Sequence, residues 1–329
     1  MLCIHNTSNE PYFNQATEEY MLKNFDEDIF MLWQNNNAII VGKHQNTLAE
    51  INLETVNEKQ IKVVRRLTGG GAVFHDMGNL NFTFIMNYGE AAPEIDFKKY
   101  TRPMIAVMAE LGIKAEFSGR NDILIDGQKF SGNAEHIFHQ KRRVLHHGTL
   151  LFASEIADLS AALKVNPLKF EDKAVKSVRS RVTNISSHLR EPISVEQFRE
   201  KVMNYIVSIY KDATSYKLNS EDILSIQNLA NEKYSQWHWN YGYSPKYSFQ
   251  KGIKTPGGHL EVHLDVDKGM IQAIKIYGDF FAKREIDEVE AFLIGKEHRQ
   301  ESVLQALQSI HSSDYFNNIS EEELVSAFF

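Results

Sequence analysis

Residues Val63 to Met86 read VVRRLTGGGAVFHDMGNLNFTFIM, and this stretch limits what the chain can fold into more than any other. A short β-branched run leads into Arg65 and Arg66, and three consecutive glycines follow, Gly69 to Gly71. The chain then returns in extended alternation, with Leu80, Phe82, Phe84 and Met86 on one face and Asn81, Thr83 and Ile85 on the other. The pattern predicts strand, glycine loop, strand. Three successive residues without Cβ let the backbone take positive φ and come very close to a ligand. Successive N–H groups in such a loop can form an anion-binding nest. With two arginines on one side and His75 and Asp76 on the other, the loop suits a polyanionic ligand. It matches neither GxGxxG at the opening of a helix nor GxxxxGK[ST], so a flexible loop tip stands as the alternative at this point.

The rest of the composition narrows the class. A chain of 329 residues with 43% hydrophobic and 24% charged content can bury a large core and a smaller second one. The net charge of −7 argues against wholesale nucleic-acid binding. The one cysteine, Cys3, excludes an intramolecular disulfide framework and a cysteine-based zinc site, and suits a reducing compartment. The opening MLCIHNTSNEPYF has no basic region followed by an apolar run. No stretch approaches the roughly 18 apolar residues a membrane span needs. A cytoplasmic protein without nucleic-acid or membrane partners is expected.

Along the chain, residues 14–25 have helical spacing, and strands are predicted at Ile29–Trp33 and Ala38–Val41 around the turn cluster Asn35-Asn36-Asn37. A helix over 97–111 stops at Gly112, although Pro103 lies inside it. Residues 119–152 read as an antiparallel meander. Asp122–Ile125 and Gln128–Ser131 flank Asp126-Gly127, a two-residue hairpin signal, and Ala134–Phe138 and Arg143–Phe152 follow as a second pair. Lys129 stands mid-strand beside Ser131, Gly132 and Asn133, where glycine permits close backbone approach. Residues 164–190 carry seven Lys/Arg against two Asp/Glu, and the segment Lys169–Arg181 reads as a basic loop or a flap over a negative ligand. Ser194 with Gln197 is a capping-box signal, Ser220 opens another helix, and Ser320 with Glu323 opens the last. Strands at His259–Val266 and Met270–Tyr277, followed by short helices, predict a small α+β domain. The boundary is placed at 1–242 and 243–329.

With these residues in view, the sequence resembles lipoate–protein ligases over nearly its whole length. The resemblance is carried by RRLTGGGAVFHDMGNLNFTF from Arg65, GRNDILI from Gly119, KFSGNA from Lys129, HHGTLLF from His146, SVRSRVTN from Ser177 and WNYGYSP from Trp239. Thr68 stands where that family often has Ser, and Asn133 where some members have Ser. The resemblance implies a fold shared with biotin protein ligases: α+β, a mixed, largely antiparallel sheet with flanking helices, plus an accessory domain. It implies that lipoate attacks the α-phosphorus of ATP, with Mg²⁺, to give lipoyl-adenylate. A lysine of an apo lipoyl domain then takes the acyl group. Acceptors would be 2-oxoacid dehydrogenase subunits or the glycine-cleavage H protein, and the enzyme itself a monomer.

By the same resemblance Lys129 is the catalytic residue, reaching both the acyl oxygen and the α-phosphate. Arg66, Gly71, Ala72, Val73 and Phe74 are carried over as ATP and adenylate contacts, with Asn121 and Asp122 toward the nucleotide or metal end. Gly70, Gly71, Arg66, His75, His147 and Lys129 are expected around lipoate, and Asp122 is the one metal-ligand candidate. Two rivals are weighed. An ATP-independent octanoyl or lipoyl transferase needs a cysteine nucleophile, and only Cys3 is present. A non-catalytic lipoate-binding module would not need Lys129 or the glycines.

Overall fold

The computed structural model describes residues 1–90, 93, 95–119, 121–156, 162–163, 170–172 and 182–329. The chain forms two units. One comprises Met1–Lys43, Thr55–Leu163 and Ser177–Gln236, the other His44–Glu54, Lys164–Lys176 and Trp237–Phe329.

Ten strands of the first unit follow in chain order: β1 (Leu2–His5), β2 (Ile29–Trp33), β3 (Ala38–Val41), β4 (Lys62–Arg65), β5 (Val73–His75), β6 (Asn79–Asn87), β7 (Ala115–Ser118), β8 (Asp122–Ile125), β9 (Gln128–Phe138) and β10 (Arg143–Leu151). Its large sheet has eight strands in the order Thr214–Ser215, β1, β2, β6, β10, β9, β8, β7. The two pairings of β1 are parallel; those between the other named strands of this sheet are antiparallel, as the sequence pattern leads one to expect. β3 lies between β4 and β5 in a separate sheet, parallel to the first and antiparallel to the second. β2 and β3 therefore enter different sheets on either side of Asn37, which has φ 45°. The glycine loop joins the two outer strands of the small sheet.

Alternation along the strands sorts two chemistries. Phe30, Leu32, Leu80, Phe82 and Phe84 enter the main apolar cluster with Tyr100, Met104 and Phe198. Met31, Trp33 and Ile85 face the other way, and so do the polar Asn81 and Thr83. That second face is covered by α1 (Pro11–Asn24), which Glu10 caps by accepting from the Phe13 N–H at 2.8 Å. α1 buries Asn14, Gln15, Thr17, Glu18 and Glu19 beside its apolar residues. Such burial of polar groups requires partners, which the site supplies. α2 (Phe97–Glu110) continues through Pro103 and ends at Gly112, φ 76°. α3 (Val195–Ile209) has the expected Ser194–Gln197 capping box.

Asp126 and Gly127, with φ of 49° and 76°, close the β8–β9 hairpin; positive φ at both positions is the geometry that matches strand twist. β9 is a single strand, where the sequence suggests two. A register shift opposite Ile123 and Leu124 absorbs one residue as a bulge, so that Phe130 and Ser131 are both fully buried.

The second unit is an antiparallel sheet ordered Phe170–Asp172, Tyr247–Thr255, Gly258–Asp267, Met270–Gly278, with helices Ile286–Leu293, Gln300–Ser309 and Glu321–Ser326. The basic segment Lys169–Arg181 lies outside the described residues apart from Phe170–Asp172, whose backbone pairs with Tyr247–Phe249. His298 is buried in this unit's core. Its Nε2 donates to Phe328 O at 2.6 Å and its Nδ1 accepts from Tyr247 Oη at 2.7 Å. Burial pushes this imidazole down to about 4. The unfolded ring takes a proton near 6.5, which the folded one refuses until near 4. Stability from this residue is therefore complete above the unfolded value and is lost as pH falls through that window. Thermal unfolding of the full chain should show a loss on the order of 3 kcal/mol over this window, and a smaller loss in His298→Gln. No helix among the described residues is long and apolar enough to cross a membrane.

Candidate active site

The glycine loop is shaped from behind by Arg66. Its guanidinium is buried and donates through Nε to Thr68 Oγ1 at 2.9 Å, through Nη1 to Ile40 O at 3.0 Å, and through Nη2 to Gly69 O at 2.7 Å and Gly71 O at 2.8 Å. Burial pushes it down to about 10, with Glu18 opposing, so it is charged throughout the physiological range. Arg65 donates to the carbonyls of Gly42 and Lys43 at 3.0 and 3.1 Å, and the Lys43 N–H donates to Thr68 O at 2.9 Å. A Cβ at Gly42 would stand 2.0 Å from Gly70 O, so only glycine lets the loop close there. Gly70 itself has φ 95°, a region open to glycine. The consequence is directional. The carbonyls of Gly69 and Gly71 are drawn to a cation, while the N–H groups of Gly69, Gly70 and Gly71 meet no acceptor among the described residues.

A buried polar chain runs from this loop to α1. Thr68 Oγ1 is 2.8 Å from His147 Nε2, and His147 Nδ1 is 2.9 Å from Glu18 Oε1. Glu18 also accepts from the Thr83 hydroxyl at 2.6 Å, and Thr83 from Trp33 Nε1 at 2.8 Å. A carboxylate at Nδ1 fixes the ring as the Nδ1–H tautomer, and Thr68, accepting from Arg66, donates to Nε2. His75 stands at the end of β5. Its Nδ1 faces the Asn35 amide at 3.1 Å and the Asn81 amide at 3.5 Å, and burial with nearby Arg66 pushes the ring down to about 3. The ring is neutral with its hydrogen on Nε2, and that buried atom has no partner, as suits a group reserved for a ligand.

Lys129 lies on β9 at the bulge. Its ammonium sits 2.8 Å from Asp122 Oδ1 and directly over Gly132, where a Cβ would be 2.8 Å from Nζ and 2.9 Å from Cε. Lys129 is thus ion-paired in the absence of ligand, and Asp122, expected at the nucleotide or metal end, holds the lysine. Gly69 and Gly70 line one cavity of about 630 Å³ together with Phe97, Lys98, Asn121 and Asn133. Loop and meander therefore meet at one hollow. Ala72 and Phe74 have buried side chains, which leaves only their backbones for a ligand, and Val73 pairs with Ile40 in the small sheet.

The sequence reading omits Glu18, Thr68 as a bonded group, Glu135 and His146. His146 is fully buried, 2.9 Å from Glu135 Oε1 and 3.3 Å from Asn133 Oδ1. The available signals were two adjacent acids on an otherwise core-facing helix and two histidines within a strand of apolar residues.

A glycine-loop cradle and an ion-paired lysine stand on one mixed α+β unit, and comparison with known proteins identifies its class as a protein ligase. Residues 10–207 match the model of the lipoyl protein ligase A/B catalytic domain, and residues 244–328 that of the bacterial lipoate protein ligase C-terminus. The chain is 42% identical to lipoate-protein ligase LplJ of Bacillus subtilis (strain 168), with 100% of both chains covered. It is similar to the crystal structure of LipL1 of P. falciparum in complex with lipoate, with TM-score 0.64, 26% identity, and 99% and 98% of the two chains covered. A lipoate-protein ligase A bound with ATP shares the fold at TM-score 0.62 and 23% identity, over 74% of this chain and 98% of that one. The chain belongs to the lipoate–protein ligase family, and its activity is that of a lipoate–protein ligase.

Proposed function

We propose that the enzyme couples ATP to lipoate through a lipoyl-adenylate and then transfers the lipoyl group to a protein lysine. The observation that carries this reading is the glycine loop: the N–H groups of Gly69, Gly70 and Gly71 have no acceptor among the described residues, Gly69 and Gly70 border the cavity, and the carbonyls of Gly69 and Gly71 are tied back to Arg66. Such a nest suits phosphate oxygens, and preorganised donors at the point where charge develops are the main device for this chemistry. Lys129, over Gly132, serves the acyl oxygen and α-phosphate as a compact charge. The backbone from Gly71 to Phe74 and Asn121 contact the nucleotide, and His75 and His147 border the lipoyl group.

Among the described residues no group of three His, Cys, Asp or Glu could hold a metal. Mg²⁺ would be held by one carboxylate, for which we propose Asp122, together with substrate phosphates, and the ion would neutralise triphosphate charge. The catalytic role is assigned to the domain expected at 1–242 and the accessory role to 243–329, although His44–Glu54 groups with the second unit, which resumes at Trp237. The acceptors are apo lipoyl domains of 2-oxoacid dehydrogenases and the glycine-cleavage H protein.

Mass spectrometry of an apo lipoyl domain after incubation with the enzyme, lipoate and Mg-ATP should show one lipoylated lysine, with pyrophosphate released. Modification at equal rate without ATP would remove the adenylate from the account. Cys3→Ala should retain activity, because Cys3 is buried in the main core and burial pushes its thiol up. Loss of transfer in a folded Cys3→Ala enzyme would favour a thioester carrier.

A further inference from the structure

β10 carries two adjacent histidines on opposite faces of the sheet, and each meets a carboxylate, yet the two pairs differ in protonation. For His147 every contact is satisfied by a neutral ring with hydrogen on Nδ1: Glu18 accepts there, and Thr68 donates to Nε2. Arg66 compensates the Glu18 charge.

His146 has no such arrangement. Its Nδ1 faces Glu135 Oε1, and its Nε2 faces Asn133 Oδ1. The Asn133 amide cannot be turned over. Its Nδ2 donates to Asn121 O at 3.0 Å and Ser131 Oγ at 3.2 Å, while Asn121 Nδ2 donates back to Asn133 O at 2.6 Å. Reversal would set two carbonyl oxygens against each other. Asn133 Oδ1 is therefore an acceptor, and Nε2 must carry a hydrogen to meet it. The contact of Nδ1 with a carboxyl oxygen requires a second hydrogen between those atoms. Among the described residues Glu135 pairs with no lysine or arginine, so a buried negative charge there would lack a counterion.

We propose that Glu135 and His146 form a net-neutral pair holding two protons, and that it locks the Asn133–Asn121 amide clamp on the cavity wall; both are positioning residues for the ligase reaction. The plane of the ring is held by packing, with ring centroids 4.8 Å from Tyr100 and 5.8 Å from Phe82 and Phe97, and a half-turn within that plane would forfeit both nitrogen contacts. Gly148 leaves room for the clamp: a Cβ there would be 2.2 Å from Asn133 Oδ1. Asn121, Asn133 and Glu135 all line the cavity that Gly69 and Gly70 border. Asn121 Oδ1, which has no partner among the described residues, is left as an acceptor for a hydroxyl or amine of the ligand. Burial lowers the basicity of the His146 ring, with the contact to Glu135 opposing.

Nitrogen-15 NMR of histidine-labelled full-length protein tests the protonation directly. His146 Nε2 should bear hydrogen at neutral pH and keep it well above the ordinary histidine range. The titrating groups that bear on it are Glu135 from β9, Asp96 and Tyr100 from the start of α2, and His147 on its own strand. A bare Nε2 at neutral pH overturns the proposal. Glu135→Gln supplies an amide hydrogen to Nδ1 and should preserve the Nε2–H; appearance of the Nδ1–H tautomer in that variant would also overturn it. The kinetic arm rests on the ATP-dependent reading above, whereas the NMR arm does not, so failure of one is distinguishable from failure of the other. Glu135→Ala should raise the KM for ATP about tenfold with a smaller change in kcat, and Glu135→Gln should raise it less than about threefold. Equal falls in kcat for both variants would assign the carboxylate another role.

Discussion

Lys129→Ala should lower the rate of adenylate formation by about 10²–10³-fold, corresponding to about 3–4 kcal/mol of lost transition-state stabilisation, with little change in thermal stability. Two contributions act together. The substitution removes the one ammonium held over Gly132, and it leaves the Asp122 carboxylate, formerly 2.8 Å from Nζ, uncompensated beside an anionic site. The second contribution is separable: Lys129→Ala with Asp122→Asn should recover part of the loss by removing repulsion, without recovering the donor. Gly132→Ala probes the same point from beneath. Its Cβ would stand 2.8 Å from Nζ, and the end of a flexible side chain can move aside at small cost in stability. Rate should fall while the melting temperature holds. Single-turnover pyrophosphate release and calorimetry together measure these outcomes. Full activity in Lys129→Ala would exclude the lysine from the chemistry.

How much of this was legible beforehand follows from the physics of each feature. Alternation at Leu80 to Ile85 predicts the strand and its two faces, because a half-buried sheet surface imposes period two. The Asp126-Gly127 hairpin and the Ser194 and Ser320 capping boxes are local signals, and all are found. Features set by pairing across the sheet were not legible. The bulge that merges the two expected strands into β9 depends on register with β8. Assignment of β2 and β3 to separate sheets depends on the path after Asn37. The sequence suggests an anion site at the glycine loop beside the alternative of a flexible tip, and it gives no reason for the N–H groups to be available. That reason is Arg66, which reads in sequence as a ligand contact and in the structure as the group that turns the loop's carbonyls inward. Glu18 reaches His147 from a helix 129 residues away in sequence, and no local pattern encodes that distance. The Glu135–His146 pair joins neighbouring strands, a register the meander predicts only approximately.

Arg66→Ala should be the most damaging substitution for the fold of the site, and Arg66→Lys should resemble it. The guanidinium satisfies four acceptors at once, Thr68 Oγ1 and the carbonyls of Ile40, Gly69 and Gly71, and stands as the counter-charge to Glu18. Alanine strands a buried carboxylate and three buried or half-buried carbonyls, a loss of about 3–5 kcal/mol by analogy with breaking a buried pair from one side. An ammonium has only three donors and no planar fork, so lysine cannot reach the same four oxygens. With the carbonyls of Gly69 and Gly71 released, the loop loses the ties that fix its shape, and adenylate formation should fall by at least about 10²-fold even at saturating ATP. A residue that only touched the nucleotide would behave differently, raising KM for ATP while leaving the melting temperature in place. Measuring unfolding without ligands beside kcat and KM separates the two roles. Unchanged ligand-free stability in Arg66→Ala would show that the loop holds its shape without the guanidinium and would return Arg66 to the role of direct nucleotide contact.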